Sequence, residues 1–157
     1  MTRHTLVMAS FLMETHVMGA GPTGCMVALA LAHQNQRVVL FDPQNSEALA
    51  ARSRAYAITH SSRRLMQRLG VWDELRKDLV AFEQLDLRDL AAGHQVLFVS
   101  DDLAEKNRGH HGIGWILDHR PLMTVLLQRL QESALVQLHL GGEAAPIPSP
   151  DSLLIAA

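Results

Sequence analysis

Residues Met13 to Asp42 restrict the possible folds of this chain more than any other stretch. His16-Val17-Met18 form a short apolar run that leads into Gly19-Ala20-Gly21-Pro22-Thr23-Gly24. A small-and-apolar segment follows from Cys25 to Ala32, and Arg37 then introduces Val38-Val39-Leu40-Phe41 and the acid Asp42. Strand, glycine turn, helix and second strand within one short stretch describe a βαβ unit. Such a unit needs a parallel sheet whose faces are covered. The expected class is therefore α/β.

Each glycine of this G-x-G-x-x-G has a physical task. Gly19 permits a tight strand-to-helix turn, and Gly21 leaves room for a pyrophosphate to approach the backbone. Gly24 lets the helix pack closely on the strands. The turn, Gly19, Ala20, Gly21, Pro22, Thr23 and Gly24, then offers amide groups and the positive end of a helix dipole to a phosphate. Asp42 stands where a carboxylate can accept hydrogen bonds from both ribose hydroxyls. Glycines alone would be a weak signal. Strand, helix and acid at the right distance make the dinucleotide reading the favoured one.

Composition removes several other classes. The 157 residues suit one domain. A net charge of −2 with no basic run, and 4% aromatic residues, speak against nucleic acid as a partner. A single cysteine, Cys25, excludes an internal disulfide and fits a reducing, cytoplasmic compartment. Its favoured reading is a small buried residue against the sheet. No run reaches the ~18 apolar residues of a spanning helix, so no transmembrane segment is expected; peripheral membrane contact stays open. Residues 1–12 read as a loose extension. Nine histidines include the adjacent pair His110-His111, but none has metal-ligand spacing, so no metal site is assigned.

Along the rest of the chain, Asn45 to Arg52 reads as a loop with a helical turn and Arg54 to Thr59 as extended or as a loop lining a site. Ser61 is the expected N-cap of a helix ending at Gly70. Trp72 to Leu79 reads as a second helix. Phe82 to Leu90 and Val96 to Val99 suggest a hairpin, and Gly114 to Leu117 a strand. Pro121 suits the first turn of a helix running to about Ser133. Leu135 to Leu140 is a last strand; Gly141 to Pro150 is a Gly/Pro-rich tail and Leu153 to Ala157 a bare apolar end. No nucleophile elbow occurs, and no catalytic residue is assigned.

The segment Arg52-Ser53-Arg54-Ala55-Tyr56-Ala57-Ile58, the helix ending Leu69-Gly70-Val71-Trp72-Asp73-Glu74-Leu75, and Gly114-Trp115-Ile116-Leu117-Asp118-His119-Arg120-Pro121-Leu122 resemble the FAD-dependent aromatic-ring hydroxylases. The similarity is to the branch that hydroxylates polyprenylated phenols in ubiquinone biosynthesis. It covers about residues 14–140. The resemblance implies a Rossmann-like FAD-binding parallel sheet with an inserted antiparallel hairpin, over residues 13–140, followed by a non-family tail at 141–157. It implies that Gly19, Gly21 and Gly24 hold the pyrophosphate, Asp42 the adenosine ribose, and Arg54 the flavin cofactor near the active site. Arg120 matches a residue near the pyrophosphate. NAD(P)H would supply electrons, and a small aromatic molecule would be the substrate.

The family's later Asp-Gly and Gly-Asp segments have no counterpart here. The expectation is therefore an N-terminal portion, inactive alone, whose first strand is an open apolar edge prone to self-association. Two other readings remain: an NAD-binding oxidoreductase domain, and a non-catalytic remnant or interaction module. The first would need a nicotinamide site with Tyr-Lys or His groups, and the lone Tyr56 has no lysine near it in sequence.

Overall fold

A computed structural model of the chain describes residues 14–107, 112–142, 144, 145 and 147–157. The extension expected over 1–12 and the His110-His111 pair lie outside the described residues. The strands β1 (Glu14–Met18), β2 (Arg37–Asp42), β8 (Val136–Leu140) and β9 (Leu153–Ala156) form a parallel sheet in the order β8-β2-β1-β9. Val17 lies level with Leu40 on one side and Ile155 on the other, and Leu40 with Leu138. Val17, Val38 and Leu40 are buried, as central parallel strands require. They share one core with Ala28 and Leu29 of α1 (Pro22–His33) and with Leu122, Leu126 and Leu130 of α5 (His119–Glu132).

The strand β9 corrects the expectation of a bare apolar end and an open first strand. Leu153–Ala156 lies parallel to β1, and the Ala157 amide donates to the Met18 carbonyl at 2.9 Å. On this side the edge of the sheet is therefore β9 itself, with Leu153 and Leu154 exposed. The physical reason lies in the tail: Leu-Leu-Ile-Ala is an apolar run preceded by Pro150-Asp151-Ser152, which suits a short strand.

The remaining strands are antiparallel. Strands β3 (Ala55–Ile58), β7 (Gly114–Asp118) and β4 (Leu79–Phe82) form a sheet in the order β3-β7-β4. Strands β5 (Gln84–Asp89) and β6 (His94–Val99) form the inserted hairpin, with Leu85 opposite Phe98 and Leu87 opposite Val96. Phe82 belongs to β4, not to the hairpin. Thr59, not Ser61, caps α3 (His60–Arg68), because its hydroxyl accepts from the Ser62 amide. Gly70 follows at φ +72° and closes the helix. The helix expected over Trp72 to Leu79 is shorter: α4 (Trp72–Leu75) passes through a 3-10 turn at Arg76–Asp78, and Leu79 already belongs to β4. Between β2 and β3, α2 (Ser46–Ala50) is the expected single turn, capped by the Asn45 side chain. The last long helix begins at His119, two residues before Pro121.

Candidate functional site

The site is built where β1 and β2 end. Gly19 turns the chain at φ +106°, a conformation that L side chains rarely adopt, and its amide donates to the Phe41 carbonyl at 2.8 Å. A Cβ on Gly19 would come within 2.3 Å of the Ala157 carbonyl oxygen. One on Gly24 would lie 1.8 Å from the Gly19 carbonyl oxygen. Gly21 differs: a Cβ there would meet nothing within 4 Å. Two of the three glycines are therefore demanded by backbone packing, Gly24 against the turn and Gly19 against the end of the chain beside it. The third faces open space at the start of α1.

The start of α1 carries neither a capping side chain nor an acid in its first turn. Pro22 occupies the first position, where a missing N–H costs nothing. The exposed Thr23 follows. Nothing negative on this helix competes for its positive end.

Asp42 is buried, and each carboxylate oxygen already holds a backbone amide. Oδ2 accepts from the Ala20 N–H and Oδ1 from the Gln44 N–H, both at 2.8 Å. The acid thus clasps the glycine turn to the end of β2. Each oxygen keeps lone-pair capacity for one further donor. Beneath the turn, the Cys25 Sγ–H donates to the Ala20 carbonyl at 3.2 Å. Burial, reinforced by the nearby Asp42 charge, pushes the Cys25 thiol up to about 12. Cys25 is thus the small buried residue its sequence position suggests.

Arg54 and Arg120 come together. Both line a cleft of about 560 Å³ walled by residues 51–55 and 118–121, which include Arg52 and Asp118. Both are exposed. Arg52 donates to the Gln44 side chain, and the Gln44 backbone donates to Asp42, so a run of hydrogen bonds joins the cleft to the glycine turn. Arg52 is not among the site residues that the sequence motifs mark. It lies two residues before Arg54, so an arginine pair just upstream of a short strand was the available signal.

His119 was also missed. It is 1% exposed and belongs to the 118–121 wall of the cleft. Its Nε2 is 2.7 Å from the Leu49 carbonyl oxygen, and its Nδ1 is 2.8 Å from the Tyr56 hydroxyl. No group of three or more metal-ligating side chains occurs among the described residues, and no helix among them is long and apolar enough to cross a membrane.

The sequence model described as "FAD binding domain" matches residues 13–137. Ubiquinone hydroxylase UbiL of Rhodospirillum rubrum is 32% identical over 117 residues, which are 73% of this chain and 26% of that protein. Ubiquinone hydroxylase UbiM of Neisseria meningitidis is 40% identical over 62 residues, 38% of this chain and 13% of that protein. Among solved structures, the flavin-dependent monooxygenase PieE, in complex with FAD and substrate, aligns at a TM-score of 0.62 and 19% identity. The alignment covers 82% of this chain and 24% of PieE, and it bears on the fold alone. The chain spans about a quarter or less of the length of the curated relatives it matches.

Proposed function

The chain belongs to the FAD binding domain family of the flavin-dependent aromatic hydroxylases, and from that premise we propose that it binds FAD across the glycine turn and the arginine cleft. The observation that carries this reading is the contrast among the glycines. The space beside Gly24 is filled by the Gly19 carbonyl and that beside Gly19 by the Ala157 carbonyl, whereas the space beside Gly21 is open at a helix start with no acid in its first turn. A diphosphate there meets backbone amides and the helix dipole. Ala20, Pro22 and Thr23 shape that turn. Asp42 uses its remaining lone pairs on the adenosine ribose, and its charge disfavours a 2′-phosphate. Arg54 and Arg120 supply positive charge from the cleft to the rest of the cofactor.

When bound, the flavin supplies the redox and oxygen chemistry of ring hydroxylation, with a reduced nicotinamide nucleotide as electron source. The chain's own residues bind, orient and exclude water. The substrate class we favour is an electron-rich phenol that is a quinone precursor, supported by the two ubiquinone hydroxylase relatives. Residues 1–157 are expected to hold cofactor without turning over substrate, and to associate through the free edge of β9.

Calorimetry of the chain with FAD, NAD and NADP tests the cofactor assignment. FAD should bind tightest and NADP weakest. Tightest binding of NADP would overturn the role given to Asp42, and an absence of FAD binding would overturn the reading as a whole. Size-exclusion chromatography over a concentration series tests the association, and a strict monomer would contradict it.

A further inference from the structure

Of the three cleft arginines, Arg54 and Arg120 are exposed side chains on different segments of the chain. Arg54 immediately precedes β3, and Arg120 is the second residue of α5. Their relative placement is therefore set by whatever locks those backbones together. One residue does this twice, and a third bond ties it to α2. The His119 amide donates to the Arg54 carbonyl at 2.8 Å, extending the β3–β7 ladder by one bond. The His119 Nε2 meets the Leu49 carbonyl of α2 at 2.7 Å, and its Nδ1 meets the Tyr56 hydroxyl of β3 at 2.8 Å.

A carbonyl can only accept, so Nε2 carries the proton. In the neutral ring Nδ1 then accepts from the Tyr56 O–H. Both ring nitrogens are thereby committed, and the imidazole cannot rotate without losing one buried and one part-buried hydrogen bond. An apolar ring would fill the same space but leave the Leu49 carbonyl and Tyr56 hydroxyl without this partner. The arrangement fixes orientation as well as filling volume.

We propose that His119, held by Tyr56, is a positioning residue that sets Arg54 and Arg120 at one spacing for the diphosphate-bearing cofactor. The role rests on the FAD reading above and acts through the arginines, without contact to the cofactor itself.

The test is a double-mutant cycle of Tyr56→Phe and Arg54→Ala, read as FAD affinity by flavin fluorescence, with thermal unfolding of each apo variant alongside. Tyr56→Phe keeps the ring and deletes one hydroxyl. Alone, it should raise the Kd for FAD about fivefold, with the apo unfolding transition close to wild type. In the Arg54→Ala background the same change should cost less than about twofold, because the spacing it sets no longer exists once one of the two arginines is gone. Effects that simply multiply would overturn the positioning role and leave the FAD reading intact. A Tyr56→Phe chain that no longer folds would assign the pair to the fold instead. Wild-type chain that does not bind FAD would overturn both.

Discussion

At the glycine turn backbone meets backbone, whereas in the arginine cleft exposed side chains hang from elements that a buried imidazole joins. Gly19 and Gly24 interlock with each other and with Ala157, and Asp42 closes the turn with two backbone hydrogen bonds. Arg54 and Arg120 stand exposed at the wall of a cleft. The difference teaches where function and stability should separate under substitution. A change at the turn reaches the fold first and the ligand second. In the cleft it should reach the ligand alone.

The largest effect expected is at Gly24. Gly24→Val would drive carbon into the Gly19 carbonyl, where the ideal Cβ already sits at 1.8 Å. A backbone atom cannot swing away as a side chain can, so the chain should lose more than ~3 kcal/mol and fail to show a cooperative unfolding transition. Gly21→Ala should behave in the opposite way. Its φ of −68° suits any L residue, and its Cβ meets nothing. Apo stability should stay within ~0.5 kcal/mol of wild type while FAD affinity falls. Urea unfolding and FAD titration of the two variants check this, and equal loss of stability in both would break the comparison.

Next in size is Asp42→Ala. It strips the acceptor from the Ala20 and Gln44 amides, so it should cost ~2–3 kcal/mol of stability and also weaken FAD. Arg54→Ala should weaken FAD by about tenfold and leave the apo unfolding transition unchanged, because the guanidinium packs in no core. Measured together, the pair separates the two regions. Apo destabilisation by Arg54→Ala with FAD affinity unchanged would move Arg54 from the cofactor site to the fold.

Much of this was legible in the sequence where the signal is local. The glycine spacing, the apolar β1 and β2 and the acid after them require no distant partner to interpret, and they place the turn and the parallel sheet. The β5–β6 hairpin follows equally well from alternating leucines around a glycine. What escaped was set by distant partners. Strand β9 is four residues of chain whose pairing depends on β1, about 140 residues earlier in sequence, and periodicity says nothing of that. His119 was visible within a family-like segment. Its bonds run to Leu49 and Tyr56 across 70 and 63 residues, and no local pattern encodes them. Thr59 displaced Ser61 as cap because β3 ends at Ile58 and leaves Thr59 at the junction.

The smallest effect expected at neutral pH concerns Cys25, directly beneath the turn. Burial and the Asp42 charge hold its thiol protonated to about 12, above the ordinary value of 9.0. In the unfolded chain the thiol would ionise near the ordinary value. The folded state therefore retains a proton that the unfolded state has lost between these limits. The contribution to stability is complete below pH 9 and disappears as pH rises toward 12, at up to about 1.4 kcal/mol per pH unit. Wild-type chain should lose stability over that interval more steeply than Cys25→Ala, and the two should run parallel from pH 6 to 8. Native Cys25 should also resist a thiol reagent at pH 8 and react once urea unfolds the chain, since the thiolate is the nucleophile. Rapid labelling of the native chain would show that the back of the turn opens readily. The backbone interlock would then no longer separate the glycine turn from the arginine cleft.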